Sequence, residues 1–423
     1  MSEQSFLLNA AVASGIVTLR QAEERLWFVT EGEASVHYSL AHTPTAEWLK
    51  PDTIFAVTDA GGSTVDSTLY RCRSTSPLAL EEVCSSACVQ AGGVFVDRAM
   101  QDILQIKLKH SNFGDPVMIA AMIRQFEQKT KRAFYGNQAS YTIHFGFPRD
   151  NDRNHGIIKG KLSLTREEVE AAYTKVTSSI TTSCKEFFGD RTVQHLLLVG
   201  GFGESPYLKS QMRRVFEHQG IQIVTVDEPA KKAAADGAVI WYLTHLVEGR
   251  AARFTFGLIG GVRYDKQRHR AYESKTFINE AGEKRIRRFI VLIPKDTILT
   301  ADWKVSRSSR AVYNSLPTAA RLGKFEEVVY TWQGKGAPPY VLDPDDGKFP
   351  PGLIESFRID ANLSSLCNSV TSQSNKVSGK PYWMVDYEVD LLLRHMRLVA
   401  RLRWVEKGIE RIGPATIIPS TKL

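Results

Sequence analysis

No apolar run in this 423-residue chain approaches the ~20 residues that a membrane-crossing helix needs. The opening Met1-Ser2-Glu3-Gln4-Ser5 lacks the basic head and long apolar stretch of a secretion signal. Cysteine is scarce and odd in number, five in all, which points to reduced thiols in the cytoplasm or nucleus rather than a disulfide framework. Cys84 and Cys88 lie four apart, but no second Cys or His pair completes a zinc site, so they read as core or surface thiols. No repeat of solenoid length is evident. Two basic clusters, Lys284, Arg285, Arg287 and Arg288, then Arg394, Arg397, Arg401 and Arg403, lack the interleaved aromatics of a single-strand-binding platform. A net charge of +8 permits nucleic-acid contact without signalling it, and both clusters read as solvated strand faces. Neither a membrane nor a nucleic acid is therefore an expected partner, and the oligomeric state is unknown from sequence.

What is present is a composition of 43% hydrophobic and 24% charged residues, that of a soluble globular chain long enough for two or three domains. The chain is organised around Phe55 to Tyr70. A buried strand ends near Asp59, turns on Gly61-Gly62-Ser63-Thr64, and leaves as a second strand beginning near Asp66. With no bulky side chain in that turn, its backbone N–H groups can approach a phosphate directly. An aspartate on the strand beside it can hold hydrated Mg²⁺ or orient a water. By itself the stretch fits an ordinary hairpin equally well.

Taken in order, Phe6 to Gly15 reads as a helix and Arg25 to Val29 as strand-like. Thr30 reads as the N-cap of a further helix, with Glu33 reaching back and His37 on its surface. A second glycine pair, Gly92-Gly93, opens a helix through Met100, Ile103 and Leu104. Pro116 to Phe134 has helical spacing, with Glu127, Lys129, Lys131 and Arg132 on its polar side. Tyr141 to Phe145 alternates as a strand, and 149–154 is an exposed loop. Thr165-Arg166-Glu167-Glu168 is a capping box for a long helix burying Val169, Ala172, Tyr173, Val176, Ile180, Cys184 and Phe187, with Gly189 as its C-cap. The strand Leu196 to Val199 runs into Gly200-Gly201-Phe202-Gly203-Glu204-Ser205-Pro206, where Ser205 caps a helix and Pro206 opens it. A strand to Val226 comes next, then a helix from Ala230 to Leu246 with Gly237 inside it. Strand, glycine turn and helix in that order favour a bound phosphate or nucleotide. Near Gly249 the pattern turns to strands separated by Pro- and Gly-rich turns such as Pro344 to Gly347, ending on Met396, Leu398, Ala400, Leu402 and Trp404. Ser369 to Lys380 reads as a mobile loop.

The three glycine-pair elements in this order resemble the actin-like ATPase (ribonuclease H-like) fold and, within it, the seventy-kilodalton heat-shock (DnaK-type) chaperones. Asp59-Ala60-Gly61-Gly62-Ser63-Thr64-Val65-Asp66 is similar to that family's second phosphate motif, Asp-Leu-Gly-Gly-Gly-Thr-Phe-Asp. Thr30-Glu31-Gly32-Glu33-Ala34 resembles its Asn-Glu-Pro-Thr-Ala element, and Gly92 to Asp97 its Gly-Gly-Glu-Asp-Phe-Asp. Phe126-Glu127 with Lys131 resembles its adenosine-bordering helix, and Val199 to Pro206 its Val-Gly-Gly-Ser-Thr-Arg-Ile-Pro. The Gly-Gly-Phe form resembles the divergent branch with an atypical C-terminal domain. The resemblance covers about residues 10–250 well and the remainder loosely, giving an α/β nucleotide-binding domain at 1–250 and a β-rich domain at 251–423.

The resemblance implies ATP or ADP with Mg²⁺ as ligand. Asp59 would be the catalytic and metal-organising carboxylate, with Glu31 as its second; the amides of Gly61, Gly62, Ser63 and Thr64 would hold phosphates. Gly200, Gly201 and Gly203 would admit ribose and adenine, Glu127 and Lys131 would line the other side, and Phe202 could stack on the base or plug a core. The family's first phosphate motif, Asp-x-Gly-Thr-Thr, and its catalytic lysine are absent from these residues, so an N-terminally shortened first lobe is expected. Glu204 stands where the family has an arginine that packs on adenine. The resemblance is compatible with a chaperone-like ATPase that meets client polypeptides through the β-rich domain, or with a non-catalytic relative acting as a scaffold. A sugar kinase is disfavoured, since no sugar-binding acid can be placed.

Overall fold

The computed structural model describes residues 3–18, 21, 25–43, 45–225, 233–300, 302–342, 349–394, 397–414 and 416–417. The chain forms two compact units, one of residues 28–248 and one of residues 1–27 with 249–423. Helix α1 is Glu3–Ala13. The strand-like pattern at Arg25 to Val29 does not become a strand: 26–30 have no regular structure. An apolar run becomes a strand only within a hydrogen-bonded ladder, and 26–30 are not assigned to one.

In the 28–248 unit the strand order is β3 (Leu78–Glu82), β2 (Val65–Thr75), β1 (Ile54–Ala60), β8 (His195–Val199), β9 (Gln222–Thr225), with β4 (Ala87–Val89) also on β2. Strand β1 pairs antiparallel with β2, placing Asp59 opposite Asp66, and parallel with β8, placing Asp59 opposite Val199. It is buried along nearly all its length because both sheet faces are covered. Phe55 and Val57 pack with Val36 and Leu40 of α2 (Glu31–Ala41). Ala56 and Ala60 pack with Val96, Met100, Tyr173 and Ile180, which belong to α3 (Gly93–Lys107) and α5 (Arg166–Phe188). Helix α4 is Pro116–Gln125, α6 is Pro206–Phe216 and α7 is Ala233–Thr244. A further antiparallel sheet joins β5 (Ser140–His144), β7 (Lys161–Thr165) and β6 (Ile157–Ile158).

The caps predicted at Thr165 and Ser205 form. Thr165 and Glu168 make the complete capping box of α5, and Ser205 Oγ accepts from Leu208 N ahead of Pro206. Along α5 it is Phe188, not Phe187, that is fully buried. Thr30 caps α2, but the Glu33 carboxylate accepts the Trp241 indole N–H at 2.9 Å. His37 is not on a surface: it is 0% exposed, with Nδ1 3.1 Å from Glu33 O. The cause is α7, which covers α2 so closely that a Cβ at Gly237 would overlap the Ala34 carbonyl. That contact explains a glycine in mid-helix. Residues 226 and 230–232 of the expected strand and helix lie outside the described residues.

The other unit is β-rich from 249 onward, where residues of β10 (Val247–Ala251) pair antiparallel with β14 (Ile298–Thr300). One sheet runs β12 (Thr276–Ile278), β13 (Lys284–Ile293), β11 (Thr255–Arg263), β16 (Phe325–Trp332), β17 (Leu353–Ala361). A second runs β15 (Lys304–Tyr313), β19 (Pro381–Arg394), β20 (Arg397–Glu406), β21 (Ile409–Ile412). Their inner faces share one core containing Phe256, Val329, Ile359, Val389, Leu398, Ala400, Leu402 and Trp404. Between these apolar residues, Arg401 and Arg403 are not solvated as expected: both bond Asp390, which is 0% exposed, at 3.2 and 3.4 Å. Burial alone would raise the Asp390 carboxyl, but hydrogen bonds from Ser306, Lys304, Arg403 and Arg401 outweigh it and hold the group below its ordinary value. Met396 and the turn at Pro344 to Gly347 lie outside the described residues. The expected mobile loop at Ser369 to Lys380 is instead a hairpin arm: β18 (Ser372–Ser374) pairs with β19. Buried Asn375 holds it, donating to Glu280 O at 2.9 Å and accepting from Val377 N and Ser378 N at 2.9 and 3.0 Å. Among the described residues no helix is long and apolar enough to cross a membrane.

Candidate functional site

Three glycine turns of the 28–248 unit lock together. After β1, the carbonyls of Gly61 and Gly62 accept the amides of Gly93 and Val94 at the start of α3, at 3.1 and 2.8 Å, and Gly92 N reaches Ser63 O at 3.0 Å. A Cβ on Gly92 would stand 2.5 Å from the Gly62 carbonyl carbon, so only glycine lets the two turns touch. After β8, Gly200 turns at φ +83°, and Phe202 N and Gly203 N both donate to Ala60 O, at 2.8 and 3.2 Å. A Cβ on Gly200 would overlap Asp59 and one on Gly203 would overlap the Val199 carbonyl.

This lock surrounds an open cleft of about 1060 Å³. Its lining draws Gly62 and Ser63 from the first turn, Gly93, Val94, Asp97 and Arg98 from α3, and Glu127, Lys131 and Arg132 from the segment after α4. Gly201, Phe202, Glu204 and Ser205 complete it from the third turn. Gly62 and Gly201 differ from the locking glycines, because a Cβ on either would meet no protein atom within 4 Å. Their small size leaves open cleft rather than a packed contact.

Of the residues singled out in the sequence, Gly62, Ser63, Glu127, Lys131, Gly201 and Phe202 therefore meet at one cleft. Gly61, Thr64, Gly200 and Gly203 build its turns; Gly61 N donates to Thr64 O at 3.0 Å. Asp59 and Glu31 are not among the lining residues. Asp59 is 8% exposed behind the turns, accepts Ser35 Oγ at 3.3 Å, and has its carboxyl pushed up to about 6 by burial and then by the Glu31 charge. Phe202 is 6% exposed and packs toward Tyr173 at 6.3 Å between ring centres while also lining the cleft.

Asp97 and the backbone around Lys131 have no role that the sequence alone assigns. The helix after α4 does not continue regularly: Phe126–Thr130 is a π turn, closed by Lys131 N on Phe126 O. Such a turn inserts one residue and rotates the residues after it, a device frequent at functional sites. Here it aims Lys131 Nζ at Asp97 Oδ2, 2.5 Å away, while Tyr173 Oη secures the Lys131 carbonyl at 2.8 Å. Burial raises the Asp97 carboxyl more than the Lys131 bond and charge lower it. Asp97 Oδ1 is buried without a partner among the described residues and is left as an acceptor at the cleft wall. The signal available in sequence was the Asp ending Gly92 to Asp97; no helical spacing rule announces a π turn. Among the described residues no three carboxylate, imidazole or thiol side chains gather to hold a metal ion.

These features define a glycine-turn cleft in a mixed α/β unit. No family model matches the chain, and no curated protein matches it. Among solved structures it is similar to one titled "pCBH ParM non-polymerisable quadruple mutant", at 15% identity and a TM-score of 0.37, over 52% of this chain and 55% of that one. The chain thus spans about half of that structure, and a likeness this low fixes neither family nor function.

Proposed function

We propose that the cleft binds ATP and ADP, and that the chain is an ATP-binding, chaperone-like protein of the heat-shock 70 kDa kind with weak Mg-ATP hydrolysis. The observation that carries the nucleotide reading is the pair Gly62 and Gly201, which line the cleft and where a Cβ would meet no protein atom, while the neighbouring glycines pack against protein. The volume suits a nucleotide. Lys131, Arg98 and Arg132 supply positive charge for phosphates, and Asp97 Oδ1 an acceptor for a sugar or base donor. Mg²⁺ fits only as a phosphate-borne ion, since the described residues gather no complete ligand set. Asp59, with Glu31 as second carboxylate, would hold it through water; its contribution would be to neutralise phosphate charge. Client polypeptide binding by residues 251–423 belongs to the same reading and rests on the resemblance alone.

The non-catalytic alternative is favoured by one observation: Asp59 and Glu31 do not line the cleft. Thermal unfolding with Mg-ATP separates these outcomes. Nucleotide at about 100 times its dissociation constant should stabilise the fold by about 2.7 kcal/mol. No stabilisation in the unaltered protein would remove the nucleotide reading. Stabilisation without phosphate release on prolonged incubation would leave the binding and remove the hydrolysis.

A further inference from the structure

We propose that the 249–423 unit carries a second, separate anion site, built for the phosphate group of a small ester or polyphosphate. It is a pocket of about 600 Å³ lined by residues 262–269 at the end of β11, together with Arg288 of β13 and Tyr340. Cations and hydroxyl donors dominate the polar groups of the lining. Asp265 is the only acid in the lining, and its Oδ1 is occupied by the amides of Gln267 and Arg268 at 2.8 and 2.9 Å. Arg263, Lys266 and Arg268 form no ion pair among the described residues.

The hydrogen-bond direction inside the pocket is fixed by the backbone. His269 is 4% exposed, and its Nδ1 takes the Asp265 N–H at 2.8 Å, so that nitrogen is the acceptor and the ring proton sits on Nε2. Nε2 lies 3.2 Å from Tyr340 Oη and donates to it, which leaves the Tyr340 hydroxyl proton to be given elsewhere. Tyr264 Oη is buried and has no partner among the described residues. Arg288 is held in plane, its guanidinium carbon 3.8 Å over the Tyr340 ring and its Nε on Tyr340 O at 3.3 Å. Its terminal nitrogens remain for a ligand. The Tyr340 hydroxyl beside an oriented guanidinium, with the unpartnered Tyr264 hydroxyl and three further cations in the same lining, matches the tetrahedral oxyanion of a phosphate. An unpartnered buried hydroxyl is otherwise a cost without compensation.

The site is independent of the nucleotide cleft, and its test keeps the two apart. Full-length protein is titrated calorimetrically with inorganic pyrophosphate and, separately, with glycerol 3-phosphate, to distinguish a free polyphosphate from an organic ester. Saturable one-site binding of either probe is expected, weakened at least tenfold by Arg288→Gln and about tenfold by the conservative Tyr264→Phe (one lost hydrogen bond to a charged group). Binding should be unchanged in Gly201→Trp, which alters only the cleft, and in Arg310→Gln, whose arginine pairs with Asp386 elsewhere. Absence of saturable binding by both probes overturns the proposal. So does equal weakening by Arg310→Gln, which would mean diffuse attraction to a basic protein, or full affinity in Arg288→Gln.

Discussion

Glycines that look alike in the sequence do different work. Gly92 touches the Gly62 backbone, so Gly92→Ala must push one glycine turn off another. A loss of about 2–3 kcal/mol is expected in denaturant unfolding. Gly62→Ala meets no protein atom and should stay within about 0.5 kcal/mol of the unaltered protein, yet lower nucleotide affinity. The opposite ranking would mean that the turns do not interlock. Asp59 is a second residue-scale case. Its carboxyl titrates near 6 in the folded chain against an ordinary 3.8, because burial and the Glu31 charge disfavour the anion. The raised value means that its favourable contribution is complete below pH 3.8 and is lost as pH rises through about 6. At pH 7.5 Asp59→Asn should therefore be more stable than the unaltered protein by roughly 2–3 kcal/mol, with the gain shrinking toward zero near pH 4. A constant difference between those pH values in thermal unfolding would contradict the assigned cause. The sequence places Asp59 at a strand end beside a glycine turn. Which glycines pack and which face open cleft depends on contacts between turns far apart in the chain, and no local pattern carries that.

At the scale of elements, the π turn after α4 is the part least legible beforehand. The spacing of Ile119, Met122, Ile123 and Phe126 is helical throughout, and the inserted residue is visible only once Lys131 N is seen to close on Phe126 O. Its anchor is testable: Tyr173→Phe removes the hydroxyl on the Lys131 carbonyl and should cost about 1 kcal/mol. Lys131→Met should cost more, about 1–3 kcal/mol, because it strands the half-buried Asp97 carboxylate. If Lys131→Met were as stable as the parent at pH 7.5, the pair would not be formed in solution. Helices α2 and α7 make the complementary point. The cap at Thr30 could be read from sequence, whereas the burial of His37 could not, since the covering helix lies about two hundred residues on. Strands of the 249–423 unit were legible where apolar residues alternate, as at Leu398 to Trp404. Strand β15 escaped notice because Lys304 to Tyr313 is mostly polar on its outer face, and its ladder with β19 is what holds it.

For the molecule as a whole, the strand–turn–helix order of residues 28–248 and the β character beyond 249 arise from periodicity and turn chemistry. The arginines of β20 are where composition misleads: charge on a strand suggests solvent, while Asp390 beneath them is fully buried. Asp390→Ala should leave several cations without their acceptor and cost about 3–5 kcal/mol in unfolding of the β-rich unit, without changing ligand binding at the cleft.

The central claim is that the three locked glycine turns surround a nucleotide cleft open at Gly62 and Gly201. Isothermal titration of Mg-ATP into the full chain and into Gly201→Trp, with the fold of both checked by circular dichroism, tests it most directly. One saturable site in the unaltered protein, abolished in a variant that remains folded, is the predicted result. No binding by the unaltered protein, or the same binding in folded Gly201→Trp, would contradict it.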